Sequence, residues 1–306
     1  MKILVFTEKP FAAAAAKAIS DAIVASGNEI ALVEKGNRDD LLKAVADAEG
    51  LIVRSDVIDR EVIENAPKLK VIVRAGAGYD NIDLQAATDH NICVMNTPGQ
   101  NSNAVAELVF GMTVMMVRNL YNGTSGTELK DKSLGIYAFG QVGRNVARIA
   151  KGFDMNVEAL DVFVPDESIE AAGVKPLHDV KELFSRNQFV SLHIPATPQT
   201  KKSIGYDLTM LMPKNGVLIN TARKEVIDEE GLMKAMEERA DIRYVSDIKP
   251  DAAAEFEAKF PGRVFFTPKK MGAQTAEANF NAGVAAAEQS IAYLKDGWNK
   301  FQVNKK

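Results

Sequence analysis

Short runs of β-branched and aliphatic residues alternate with longer amphipathic or alanine-rich stretches along most of the chain. In the first third, residues 2–6, 30–33, 51–53, 71–73 and 92–95 read as strands, and residues 12–25, 38–48 and 60–66 as helices. That alternation predicts a parallel sheet with crossover helices. The run Asn96-Thr97-Pro98-Gly99-Gln100-Asn101 is rich in turn formers and marks a domain crossing. Beyond it, residues 103–117 form a helix that is apolar on nearly every face, which predicts burial between domains or subunits. The alternation then restarts, with strands at 134–138, 157–160, 189–192, 217–220, 244–246 and 264–266 and helices at 141–153 and 229–239. A last helix over 276–295 carries Val284, Ala287, Ile291 and Leu294 at helical spacing, a stripe expected to be buried.

Length and charge narrow the class. The 306 residues allow two domains, at roughly 150 residues each. A net charge of −4 leaves no basic surplus for a phosphate backbone, so nucleic acid is not expected as a partner. The longest apolar stretch, 104–117, is short and holds Glu107, so no membrane span is expected. The apolar run at 2–6 meets Glu8 and Lys9 at once and is too short for a signal-peptide core. One cysteine, Cys93, excludes an internal disulfide and a cysteine-cluster metal site. No metal is expected, and the whole reads as a soluble cytoplasmic protein.

The strongest local motif is Ala138-Phe139-Gly140-Gln141-Val142-Gly143, placed as strand, tight turn and helix start. It matches a dinucleotide fingerprint with alanine at the first glycine position. Gly140 lets backbone approach a pyrophosphate, and Gly143 lets helix and strand pack closely. Gln141 and Val142 place their amides at a helix N-terminus, which favours anions. Ala138 puts a methyl in the turn and is expected to open it slightly. A plain strand–helix turn is the bland alternative. Asp161, at the end of the next strand and 21 residues past Gly140, suits ribose hydroxyls and repels a 2′-phosphate, which favours NAD over NADP.

Three arginines follow strands. Arg54 and Arg74 end neighbouring strands and should converge at the carboxyl edge where ligands bind. Arg74 is followed by Ala75, Gly76 and Ala77, whose small side chains expose backbone amides to a carboxylate or phosphate. The alternative is a pair of surface arginines bridged to Asp56 and Asp80. Arg223 is a candidate carboxylate clamp, or else a partner of Glu225 or Asp228. Of the three histidines, His90 reads as a solvated helix end and His178 as part of a polar loop. His193 ends a strand facing the cofactor edge, and each of the three is more often structural than catalytic on such placement.

Taken together, residues 74–81, 96–108, the Ala138–Gly143 loop, Ser191-Leu192-His193-Ile194-Pro195, Asn220-Thr221-Ala222-Arg223 and Asp247 resemble the D-2-hydroxyacid dehydrogenase family over essentially the whole chain. The resemblance implies an α/β fold of two Rossmann-like domains with mainly parallel sheets and an interdomain cleft. A substrate-binding domain would comprise 1–99 plus 281–306, and an NAD-binding domain 100–280. It implies Arg223 as the clamp on substrate carboxylate and carbonyl, and Arg54, Arg74, Ala75 and Gly76 around a substrate phosphate. Cofactor contacts would come from Ala77, Gly140, Gln141, Val142, Gly143, Asp161, His193, Ile194, Pro195, Thr221, Ala222, Arg223, Asp247, Gly272 and Ala273. A homodimer through the cofactor domain is implied as well. The likeness is greatest to members without a regulatory domain that oxidise D-3-phosphoglycerate to 3-phosphohydroxypyruvate, the entry to serine synthesis. Reduction of another 2-hydroxy acid's keto form, such as glyoxylate or hydroxypyruvate, and a non-catalytic NAD sensor are the alternatives.

Two positions depart from the family. Its Thr-Pro-His-x-Gly run, whose histidine is the acid/base, is here Thr267-Pro268-Lys269-Lys270-Met271-Gly272. Alignment from Gly272 puts Lys270 at the histidine position, whereas counting from Pro268 puts Lys269 there. The partner glutamate is replaced by Ala252. A lysine base needs its ordinary pKa of about 10.4 lowered, and a neighbouring glutamate would raise it, so the two changes fit one lysine-based variant. Asp251 and Glu255 remain as weak partners.

Overall fold

The computed structural model describes residues 1–305, which divide into two compact units: 1–101 with 274–305, and 102–273. The second boundary precedes the expected 280/281. The reason is local: Thr275 caps the final helix, Ala276–Asp296, by accepting a hydrogen bond from the Ala278 amide at 3.1 Å, and the whole helix goes with the first unit.

The first unit is built on five parallel strands, β1 (Lys2–Thr7), β2 (Glu29–Glu34), β3 (Gly50–Val53), β4 (Val71–Arg74) and β5 (Cys93–Asn96), in the order β2-β1-β3-β4-β5. Their continuous apolar runs are explained by burial on both faces, as in any parallel sheet covered by helices. The final helix packs on this sheet and on helix Ala13–Ala25. It does so through small residues, Ala278, Ala282, Gly283, Ala286, Ala287 and Ser290. The expected stripe is therefore corrected: of its four members only Ala287 is fully buried. Close approach decides it, since a Cβ on Gly283 would stand 2.8 Å from Ile19 Cδ1. The edge strand β5 is covered by the chain's last residues. Asn304 accepts from the Val94 amide at 2.9 Å and donates to the Ile92 carbonyl at 2.8 Å, so one side-chain amide imitates a neighbouring strand.

The second unit holds seven parallel strands, β6 (Ser133–Tyr137), β7 (Asn156–Leu160), β8 (Lys175–Leu177), β9 (Phe189–Leu192), β10 (Val217–Asn220), β11 (Arg243–Ser246) and β12 (Val264–Phe266). Their order is β12-β11-β10-β9-β6-β7-β8, a doubly wound sheet whose direction of growth reverses between β6 and β9. Helix Ser102–Val117 buries Val105, Ala106, Val109, Phe110, Met112, Met116 and Val117, most of them in this unit's own core. Among the described residues no helix is long and apolar enough to cross a membrane.

Candidate functional site

The carboxyl ends of β6, β7, β9, β10, β11 and β12 lie on one edge of the second unit's sheet, because all are parallel. Six of the sequence candidates, or groups of them, are brought together there. At the end of β6, Ala138 donates its amide to the Leu160 carbonyl at 2.8 Å and keeps φ +79, the left-handed value a glycine would take. The alanine is strained into the turn. Gly143 is required by contact, since a Cβ there would stand 2.3 Å from the Ala138 carbonyl oxygen. Gly140 is the opposite case. It is exposed, nothing lies within 4 Å of where its Cβ would be, and no side chain caps the helix Gln141–Gly152 that it starts. An open glycine before an uncapped helix start fits a pyrophosphate.

Asp161 closes the loop from the end of β7. Its carboxylate accepts from the amides of Phe139 (2.6 Å), Phe163 (2.8 Å) and Val164 (3.1 Å). One lone pair on the oxygen facing Phe139 is left for a ribose hydroxyl. At the end of β9, His193 lies 2.9 Å from Ser191 Oγ through Nε2 and 3.3 Å from Thr221 Oγ1 through Nδ1. Burial pushes its pKa down to about 3, so the ring is neutral at physiological pH. His193 is thus a fixed wall of the site rather than a proton carrier. Ile194 is buried beside it and Pro195 is exposed.

After β10, Asn220 shapes the turn that carries Arg223. Its Oδ1 accepts from the Ala222 amide at 2.9 Å and its Nδ2 donates to the Arg223 carbonyl at 3.0 Å. The Arg223 guanidinium donates to the Ala222 carbonyl at 2.9 Å and forms no ion pair with Glu225 or Asp228. Asp247, buried at the end of β11, organises the lysine loop. Its Oδ1 accepts from the Met271 amide (2.7 Å) and Thr267 Oγ1 (3.0 Å), and its Oδ2 from the Gly272 amide (2.8 Å). Gly272 is needed here, since a Cβ would stand 2.9 Å from Asp247 Oδ2. Lys269 and Lys270 sit inside this bracket, both exposed, and Ala273 follows it half-buried. The two acids expected as weak lysine partners are engaged elsewhere: Asp251 pairs with Lys224 at 2.6 Å and Glu255 with Lys259 at 3.0 Å. Glu229, which sequence reasoning missed, accepts from the amides of Asp251 and Ala252. Asn220 and Thr267 stand in the quoted motifs but carry no role there, because nothing in their local patterns separates a turn-shaping side chain from any polar residue after a strand.

In the first unit, Arg54 and Arg74 end the neighbouring strands β3 and β4 and do converge. The Arg74 Nε donates to the Arg54 carbonyl at 2.8 Å. Its pKa is held down by burial first and by the Arg54 charge second. Arg54 donates to the carbonyls of Lys9 (3.0 Å) and Pro10 (2.9 Å) and to Asn279 Oδ1 (2.6 Å), with its guanidinium over the Phe11 ring. Among the described residues neither arginine makes an ion pair, so the bridges to Asp56 and Asp80 do not form. The amides of Ala75 and Gly76 are not free for a ligand. They donate at 2.8 Å to the carbonyls of Val53 and Arg74, because Gly76, at φ +152, folds back over the guanidinium. Ala77 and Gly78 are the more exposed part of that turn.

Residues 3–304 match the profile described as D-isomer specific 2-hydroxyacid dehydrogenase, catalytic domain. The chain belongs to this family. Its similarity to individual D-2-hydroxyacid dehydrogenases is broad. It is 38% identical over 280 residues to a D-3-phosphoglycerate dehydrogenase of Methanocaldococcus jannaschii, which covers 84% of this chain and 52% of that protein. The chain thus spans about half the length of that relative. It is 32% identical over 286 residues to the glyoxylate reductase of Thermococcus litoralis, covering 87% of this chain and 86% of that one. Among solved structures, the NAD+-bound 3-phosphoglycerate dehydrogenase of Entamoeba histolytica is 47% identical, with a TM-score of 0.88 over 100% of this chain and 99% of that one. The fold of the family and of its two parallel-sheet units is therefore that of this chain.

Proposed function

We propose that the chain is an NAD-dependent dehydrogenase that oxidises D-3-phosphoglycerate to 3-phosphohydroxypyruvate. The observation that carries this reading is the pair Arg54 and Arg74 at neighbouring strand ends, tied by the bond from the Arg74 guanidinium to the Arg54 carbonyl, close enough for the Arg54 charge to act on Arg74, and without a carboxylate partner among the described residues. Two like charges at a sheet's ligand edge favour an anion beside them, and a phosphorylated substrate supplies one. The names of the Methanocaldococcus and Entamoeba relatives support the same substrate. Gly140, the amides of Gln141 and Val142, and Asp161 suit a dinucleotide, and the bound NAD would accept the hydride. Arg223 grips the substrate carboxylate and polarises the C2 oxygen. The amine of Lys270, or of its neighbour Lys269, takes the C2 hydroxyl proton as C2 loses its hydride, and returns it in the reverse direction. His193 and Asp247 position these groups. A homodimer through the second unit and a cytoplasmic location belong to the same proposal.

The test is NADH formation from 3-phosphoglycerate at alkaline pH, followed by absorbance. Lys270→Met should cut kcat by about a hundredfold or more with NAD affinity unchanged, as for loss of a general base. Arg54→Gln should raise KM for the phosphorylated acid tenfold or more, roughly the worth of a charged hydrogen bond, and leave an unphosphorylated 2-hydroxy acid unaffected. Full turnover in Lys270→Met transfers the role to Lys269 if Lys269→Met is dead. Full turnover in both variants rejects lysine catalysis. Faster turnover of glyoxylate than of the phosphorylated substrate would favour the reductase reading that the Thermococcus relative suggests.

A further inference from the structure

The sheet of the second unit has a second charged feature, on the edge opposite the candidate site. The amino ends of β6, β9, β10 and β11 border a cavity of about 310 Å³. Three cations line it, Lys132 just before β6, Lys214 just before β10 and Arg243 opening β11, and no acidic residue lines it. Among the described residues none of the three makes an ion pair, although Lys130, two residues from Lys132, lies 3.9 Å from Asp154. The Arg243 guanidinium donates to the Met116 carbonyl (2.6 Å) and to Asn119 Oδ1 (2.9 Å), which fixes it at the end of helix Ser102–Val117. Burial holds its pKa down. The rest of the lining is largely polar and includes Ser125 and Thr127.

Arg243 is half-buried, Lys132 partly exposed and Lys214 exposed, so the cavity gathers three positive charges with no carboxylate in its lining to neutralise them, an arrangement that favours an anion. Other cavities in the unit do not share this balance. The one of about 720 Å³ around Lys224 and Asp251 sets six acids against three lysines. Two ammonium groups, a guanidinium and two hydroxyls form the donor set of a tetrahedral oxyanion, and the volume exceeds that of a bare ion. We infer that this cavity is a binding site for a phosphate group, as the free ion or as a small phosphomonoester, separate from the dehydrogenase site. The inference does not depend on the proposed substrate, since these residues lie on the far edge of the sheet. Because Arg243 also holds the turn at Asn119, an occupant would stiffen residues 117–127.

The experiment is amide hydrogen exchange on the whole protein with inorganic phosphate, with glycerol phosphate, and with chloride at matched ionic strength. Phosphate or glycerol phosphate should slow exchange in the segment 117–127 and at 214–217, and chloride should not. In the double variant Lys132→Gln/Lys214→Gln the half-saturating concentration at those peptides should rise about tenfold or more, the worth of even one lost charge-assisted bond. Lys130→Gln should behave as the unmodified protein, and Lys214→Arg should retain most of the effect. Equal protection by chloride, no protection by either phosphate, or an unchanged midpoint in the double variant would each overturn the site.

Discussion

Buried titratable side chains set the residue-scale behaviour of this site. His193 is kept neutral, with a pKa near 3 against the ordinary 6.5. The unfolded chain therefore takes up a proton that the folded chain refuses, and this share of stability, complete above pH 6.5, is lost as pH falls from 6.5 toward 3. His193→Gln should flatten that part of the profile. Urea midpoints at pH 7 and pH 4.5 would measure it, and an unchanged acid slope would refute the burial argument. The placement of Arg54, Arg74 and Arg223 was legible because each ends or follows a strand, at the edge where a parallel sheet presents its side chains to ligands. The engagement of the Ala75 and Gly76 amides was not legible. It depends on the guanidinium of Arg74 lying under Gly76, a contact that no spacing reveals.

Elements show where pattern reading succeeds and fails. β9, β10 and β12 fall at their expected bounds, because strands of a covered parallel sheet are mostly apolar runs, broken here only by Ser191 and Asn220. β8 escaped notice. It has three residues, one of them Pro176, and a proline is tolerated only because β8 is at the sheet's edge. Helix Leu84–Asp89 was read only from its end, where His90 is the exposed cap; its start was not, although Asp83 caps it by accepting from the Ala86 amide at 2.8 Å. The turn into helix Gln141–Gly152 yields a sharp expectation. Gly143→Ala would press a methyl into the Ala138 carbonyl, so it should cost about 1–3 kcal/mol by overpacking and weaken dinucleotide binding. Calorimetric titration with NAD alongside thermal melting would read both. At the opposite end of the chain, Asn304→Ala should remove the bonds that seal β5 and cost about 1–3 kcal/mol. A melting temperature within error of the unmodified protein would show that the edge tolerates exposure.

At the scale of the molecule, a doubly wound sheet of seven strands carries the dinucleotide features and a five-stranded one carries the arginine pair. The proposed division of chemistry between the units rests on where each sheet's carboxyl edge lies. It also separates two kinds of readout: substitutions in the first unit should act on substrate affinity, and those around Gly140 and Asp161 on dinucleotide affinity. A dissection of KM for the acid and Kd for NAD across Arg54→Gln and Asp161→Ala would check it. Equal effects of both variants on both constants would contradict it.

The first unit is assembled from the two ends of the chain, with the second inserted as one unbroken stretch. On a ribosome, residues 102–273 are all present before the helix that covers β3 and β4 has been made. The inserted unit can therefore reach its native state while the outer one is still waiting for its last helix. A nascent chain halted shortly after residue 273 clears the exit tunnel should yield a protease-resistant core over 102–273 and a digestible N-terminal segment, and the outer sheet should become resistant only once the final helix emerges.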